Sequence, residues 1–201
     1  MALSRPVWIV AVSIVLLLLA LPVSWRVWPA RTPAAVMIDQ AAIESLGQLR
    51  DQYGNPAADS LQGRAWPLVF FGFTHCADIC PATLSRVAQV LDHLGEDADQ
   101  LQPIFVTLDP QRDTPEHLAA YLAFFDERIL GLSGTIDQVE QVTDAWGVYS
   151  RRVPTHGSYM LDHSTGIYLL SPDGQLRRRF SGNEDAQSMA SEIAAEQSRS
   201  N

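Results

Sequence analysis

FFGFTHCADICPATL, Phe70 to Leu84, joins an apolar run to a helical pattern through the only two cysteines of the chain, Cys76 and Cys80. The run itself, PLVFFGF from Pro67 to Phe73, is continuous and of strand length, as expected for a strand covered on both faces. After Pro81 the residues Leu84, Val87, Ala88 and Leu91 recur at helical spacing, and proline suits a first helical turn. The cysteines therefore fall at a strand-to-helix junction, on the rim of a sheet where ligands reach.

Outward from this junction the pattern repeats. LQPIFVTLDP, Leu101 to Pro110, predicts a second buried strand. In RDTPEHLAAYLAFF, Asp113 or Thr114 can cap a helix, Pro115 suits its first position, and Leu118, Tyr121, Leu122 and Phe125 make one apolar face. A short strand is expected over Ile129 to Leu132, then a helix from Thr135 to Trp146 with Thr135 and Gln138 at capping-box spacing. From Ser158 to Phe180, YMLDHSTGIYLL and QLRRRF flank Ser171-Pro172-Asp173-Gly174, which reads as a hairpin turn between antiparallel strands. A last helix is expected over Glu184 to Glu196 with Met189, Ala190 and Ile193 inward. Upstream, LGQLRDQYGNPAADSLQG reads as a short strand, a turn at Tyr53-Gly54-Asn55, and a second short strand or loop. This order implies an α/β sandwich with a mixed central sheet, the order of a thioredoxin-like domain.

A chain of 201 residues can bury one full core. Its net charge of -9 argues against a nucleic-acid partner, because phosphate binding needs clustered positive charge. The basic run Arg177, Arg178 and Arg179 is the exception, and it reads as the solvated end of a strand.

Between Arg5 and Arg26 lies PVWIVAVSIVLLLLALPVSW, free of charge and long enough to cross a bilayer core of ~30 Å as one transmembrane helix. Trp8 at one end and Trp25 and Trp28 at the other suit interfacial aromatic belts. A cleaved signal peptide is the competing reading, but WRVWPARTPA offers no good small-residue cleavage site. Arg5 opposes Arg26 and Arg31 across the span, which leaves its orientation open. The expected organisation is a membrane anchor over 1–30, a tether over 31–46 and a folded domain over 47–201.

Four positions separate Cys76 from Cys80, so both metal bridging and a disulfide are geometrically available. A purely structural disulfide has a weak case, because the shortest loops gain least stability. Pro81 puts Cys80 close to a helix N-terminus, a setting that lowers thiol pKa. Thiolate is both the nucleophile of disulfide exchange and a soft ligand for copper(I) or zinc. A third ligand must decide between these chemistries. His75, His93 and His117 read as surface or partly buried histidines, whereas His156 and His163 both flank the late hairpin and remain nearly even on physical grounds. A structural zinc site usually needs four protein ligands, and here only Asp78 or Asp162 could complete the set. Three soft or borderline donors suit copper(I) better.

GFTHCADICPATL is similar to the cysteine motif of the Sco/SenC copper proteins, VTLDPQRDTPEHLAAYLAFF to the central segment of that family, and LDHSTGIYLLSPDGQL to its histidine segment. The likeness runs from about Gly47 to Ile193. The resemblance implies a thioredoxin-like fold and one copper ion held by Cys76, Cys80 and His163, which decides against His156. It implies a metallochaperone that delivers copper to, or keeps reduced the thiols of, the dinuclear copper centre of cytochrome c oxidase. The implied partners are the copper-receiving subunit of that oxidase and a copper donor chaperone or thiol reductant. It also implies a single-pass anchor in the bacterial inner membrane, with the domain on the periplasmic side, or in its mitochondrial counterpart; the lack of an Arg-rich amphipathic transit peptide favours the bacterial setting. Ala77 departs from the proline that often follows the first cysteine in the family. Asp109 and Arg112 are expected to form an ion pair or a partner surface near the metal. The alternative from a different class is a thiol-disulfide oxidoreductase, with Cys76 attacking and Cys80 resolving; its spacing is one residue longer than the usual Cys-x-x-Cys.

Overall fold

The computed structural model describes residue 38, residues 40–61 and residues 65–200. The apolar stretch read as an anchor lies outside the described residues, among which no helix is long and apolar enough to cross a membrane. In chain order the elements are α1 (Gln40–Leu46), β1 (Arg50–Asp51), α2 (Ala57–Leu61), β2 (Trp66–Gly72), α3 (Ile79–Leu94), a 3-10 turn (Gly95–Gln100), β3 (Leu101–Thr107), α4 (Pro115–Leu122), β4 (Leu130–Ser133), α5 (Ile136–Trp146), β5 (Ser150–Thr155), β6 (Ser158–His163), β7 (Ile167–Leu170), β8 (Leu176–Phe180) and α6 (Ala186–Ser200).

Six strands form one mixed sheet in the order β1-β4-β3-β2-β7-β8. β2, β3 and β4 run parallel, while β7 runs antiparallel to β2 and to β8, and β1 antiparallel to β4. Alternate residues of β2 go to opposite faces, and both faces are buried. Leu68 and Phe70 pack with Leu84, Val87 and Leu91 of α3, Leu118 of α4, and Met189 and Ile193 of α6. Val69 and Phe71 pack with Ala42 and Leu46 of α1 and Val139, Val142 and Trp146 of α5. The sandwich and its mixed sheet agree with the sequence reading.

Three local expectations are corrected. First, part of the stretch read as a tether, residues 40–46, is helical, and Ala42 and Leu46 are fully buried. Trp146 Nε1 donates to the Ala42 carbonyl at 2.8 Å, so a helix too short to stand alone is held by packing. Second, the segment after the Tyr53-Gly54-Asn55 turn forms α2 rather than a strand or plain loop; the Asp51 carboxylate closes that turn by accepting from Tyr53 N and Asn55 N. Third, YMLDHSTGIYLL is two strands of different sheets: β6 pairs with β5 as a separate hairpin turning at His156-Gly157, and β7 joins the main sheet. β5 carries Pro154 and is exposed along its whole length, so no alternation marked it. Arg177, Arg178 and Arg179 are exposed on β8 as read; Arg178 pairs with Glu192, and the Arg179 guanidinium lies over the Tyr168 ring.

Candidate metal centre

β2 ends at Gly72, where the chain must pass close to its neighbours: a Cβ there would lie 2.7 Å from the Phe105 ring and 2.9 Å from Cys80 Sγ. The next residues are held from below by Asp113. Its buried carboxylate accepts from Thr74 N at 3.1 Å, from Thr74 Oγ1 at 2.6 Å and from Thr107 Oγ1 at 2.5 Å. Asp113 was one of two capping choices in the sequence; Thr114 takes that role, accepting from His117 N, and Asp113 fixes the cysteine loop instead.

Within the loop Cys76 N donates to the Phe73 carbonyl at 3.2 Å, which folds the chain back toward α3. Cys76 is half-buried, whereas Cys80, in the first turn of α3, is 4% exposed. Cys80 N donates to Cys76 Sγ at 3.4 Å, so the sulfur of the outer cysteine sits over the helix start. Both thiols are free.

The third member arrives from the hairpin. His163 is the last residue of β6, not the residue leading into β7, and its Nε2 lies 3.7 Å from Cys80 Sγ. A carbonyl can only accept, so the 2.8 Å contact between His163 Nδ1 and the Ser164 carbonyl makes Nδ1 the donor and leaves Nε2 bare toward the sulfur. That is the orientation imposed on metal-bound imidazoles by their outer partners. The Phe73 ring stands edge-on to the imidazole at 5.8 Å.

Asp109 and Arg112 form the ion pair read from the sequence, and both grip the hairpin. Tyr159 Oη donates to Asp109 Oδ1 at 2.7 Å, Arg112 Nη1 donates to the Tyr159 carbonyl at 3.1 Å, and the Arg112 guanidinium lies 3.8 Å above the Tyr159 ring. Tyr159 was not singled out in the sequence, because a lone aromatic in a strand ordinarily reads as core.

Burial pushes the Cys80 thiol well above its ordinary range, and the nearby Cys76 side chain adds to the rise. The expectation that a helix N-terminus lowers the Cys80 pKa is not met, because burial of the thiol works against it. A bound cation would reverse this balance, since coordination deprotonates a thiol outright.

Cys80 Sγ and His163 Nε2 stand as two ligands of a soft metal ion would, while Cys76 Sγ is placed by its contact with Cys80 N and does not join both of them within 4.8 Å. Bonds of roughly 2.3 Å to sulfur and 2.0–2.1 Å to imidazole nitrogen place two such ligands of a trigonal or tetrahedral ion about 3.6–3.8 Å apart. The observed 3.7 Å falls in that range. The remaining histidines do not reach this pair: His93 is exposed on α3, His156 is exposed at the hairpin tip, and the His75 and His117 rings meet edge-on at 5.4 Å. Asp78 and Asp162 are exposed, with Asp162 paired to Arg151. A wide concavity lies apart, between α5 and the β5–β6 hairpin, lined by Ile136, Val139, Thr143, Tyr149 and Leu161. Cys80 and His163 instead line a narrow crevice with Ile79, Thr83 and Gly166 that has no volume for an enclosed organic substrate.

The sequence model of a family described as SCO1/SenC matches residues 36–198. The mitochondrial SCO2 homologue of Bos taurus is 40% identical over 132 residues, 64% of this chain and 50% of that protein, so the chain spans about half the length of this relative. Among solved structures, Bradyrhizobium japonicum ScoI with copper bound is 39% identical with a TM-score of 0.68 over 74% of this chain and 95% of that one. Yeast Sco1 with copper bound is 36% identical with a TM-score of 0.66 over 73% and 83%.

Proposed function

Because the chain belongs to the SCO1/SenC family, we propose that it is a metallochaperone that carries one copper ion on Cys76, Cys80 and His163. The observation that carries this reading is the 3.7 Å separation of Cys80 Sγ and a bare His163 Nε2. Two similar chains, Bradyrhizobium japonicum ScoI and yeast Sco1, have solved structures with copper bound, which supports the choice of ion.

In this reading copper is cargo. Cys80 and His163 form the inner edge of the site, and half-buried Cys76 is the ligand a partner thiol or imidazole displaces first. Ile79, half exposed between the cysteines, supplies apolar contact for that partner. The recipient is the subunit of cytochrome c oxidase that holds the dinuclear copper centre, and a copper donor or thiol reductant completes the cycle. Residues 1–30 anchor the chain in the bacterial inner membrane, single-pass, and the domain faces the periplasm.

A second reading has its own support. The exposure difference between Cys76 and Cys80, with the Cys80 N–H directed at Cys76 Sγ, is the pattern of an attacking and a resolving thiol. The proposed chaperone would then reduce the thiols of its recipient rather than fill them with metal.

Copper(I) titration of the reduced full chain, without oxygen and against a competing chelator, tests the first reading. We expect one ion per chain, held at least about 100-fold less tightly in His163→Ala, since loss of an orienting partner alone costs 10–100-fold. Absence of tightly held copper in the reduced wild type rejects the site. Capture of a mixed disulfide by Cys80→Ser would then support the second reading.

A further inference from the structure

His75, Asp113 and His117 each offer one ligand atom, and the three atoms lie within 4.8 Å of one another. We propose that these residues form a second metal site, distinct in its ligands from the thiol site and selective for a borderline divalent cation such as zinc(II) or copper(II).

The chemistry of each member supports this. Asp113 is fully buried and its side chain carries a carboxylate. Its oxygens accept from Thr74 N, Thr74 Oγ1 and Thr107 Oγ1, three neutral donors for about four lone-pair positions. Buried carboxylates are ordinarily paired or bound to metal. His75 Nδ1 lies 3.8 Å from Oδ1 and 3.1 Å from Thr74 Oγ1, which links the imidazole to the carboxylate.

The two histidines close the open side. His117 Nδ1 lies 3.1 Å from the Arg112 carbonyl, so Nδ1 donates and Nε2 is left bare, as in metal-bound histidine. The His75 ring is 44% exposed, and its centroid is 5.4 Å from that of His117. Ligand atoms around a tetrahedral ion with bonds of 2.0–2.1 Å lie about 3.3 Å apart, so two exposed side chains need move only by about 1 Å or so.

Two imidazoles and one carboxylate, without thiolate, select zinc(II), copper(II) or nickel(II) over the softer copper(I). Three protein ligands leave a coordination position open, the arrangement of an exchangeable ion rather than a structural one. The fold makes the site from separate pieces: His75 comes from the loop after β2, His117 from the first turn of α4, and Asp113 from the loop that joins β3 to α4. His75 is also the chain neighbour of Cys76, so the proposed site adjoins the thiols.

Zinc titration of the full chain carrying C76S, C80S and H163A tests the proposal without any ligand assigned to the first site. We expect one zinc ion per chain and a zinc-dependent rise in Tm. Adding His117→Ala should weaken zinc binding at least about 10-fold and remove that rise, and His75→Ala should do the same. In the otherwise unaltered chain, His117→Ala should lower the zinc stoichiometry by one, a measurement independent of how the triple variant folds. If zinc binding by the triple variant is the same with and without both histidines, and His117→Ala leaves the stoichiometry of the unaltered chain unchanged, the proposal is overturned.

Discussion

Cys80 Sγ and His163 Nε2 meet at 3.7 Å although they are 83 positions apart in the chain. Strand register brings them together. β7 runs antiparallel to β2 with Ile167 opposite Phe70, so the residues after β2 and those before β7 emerge at the same end of the sheet. A slip of two residues would displace one side chain from the other by about 7 Å. The pair therefore depends on the apolar pattern that sets this register: Leu68 and Phe70 on one face, Val69 and Phe71 on the other.

The two thiols differ in reactivity. Cys76 is half-buried, while Cys80 is nearly enclosed and its pKa is raised by that burial. A raised acid pKa keeps the proton on in the folded state, so Cys80 is the neutral thiol at neutral pH and ionises only above the ordinary thiol range. Alkylation of the reduced, metal-free chain at pH 7 is expected to label Cys76 at least about tenfold faster than Cys80. The Cys76→Ser variant should gain label at Cys80 only at strongly alkaline pH or on unfolding. Equal labelling of both cysteines at pH 7, read by peptide mass, would contradict this.

Gly72 is the hinge between sheet and site. A methyl group there would press on Phe105 and on Cys80 Sγ at less than 3 Å, and both neighbours are packed in the core. Gly72→Ala is expected to cost about 1–3 kcal/mol of stability and to weaken metal binding more than a core substitution of equal stability cost. A comparison with Val142→Ala, on the far side of the sheet in α5, separates the two effects. If both variants bind copper(I) equally, Gly72 has only a packing role.

The sandwich was legible because its central strands are continuous apolar runs and its helices carry strong end signals. Thr114-Pro115 opens α4, and the Thr135-Gln138 capping box opens α5, both with the bonds that the spacing implies. What the sequence concealed is held by contacts distant in the chain. α1 has only seven residues and is secured by Leu46, Ala42 and the Trp146 indole. The β5–β6 hairpin has one polar, fully exposed strand, so periodicity could not find it. The cysteine pair was readable from spacing alone, whereas the choice of His163 needed either a resemblance or a fold. The pairing of His75 with His117 had no local signal, since 42 positions separate them and each reads singly as a surface histidine.

Tyr159 is the clasp that keeps the His163 strand in place. It lies four residues before His163 on β6, donates to buried Asp109, and is covered by the guanidinium of Arg112. Tyr159→Phe removes one hydrogen bond to a carboxylate, about 1–3 kcal/mol by the usual range. Because that bond fixes the hairpin rather than the main sheet, we expect copper(I) affinity to fall about tenfold with Tm lowered by only a few degrees. Phe retains the ring under Arg112, so Tyr159→Ala should weaken copper binding further. Affinity unchanged in both variants would mean that the hairpin is held by its other contacts.

The folded unit begins before Gly47. Ile38, Ala42 and Leu46 are buried against the sheet face that holds Trp146, and the Trp146 indole N–H would lose its partner without them. Loss of the buried Leu46 and Ile38 side chains, less the entropy regained by the released segment, amounts to about 3–5 kcal/mol. A chain beginning at Gly47 is therefore expected to melt roughly 10 °C below one beginning at Val36, with Trp146 fluorescence shifted to the red as water reaches the ring. Ala42 contributes its carbonyl rather than its side chain to that hydrogen bond, so Ala42→Ser should keep the bond and cost little beyond crowding. If the two chain lengths melt within about 2 °C of each other, α1 packs on the domain without supporting it, and the boundary read at Gly47 stands in the energetic sense.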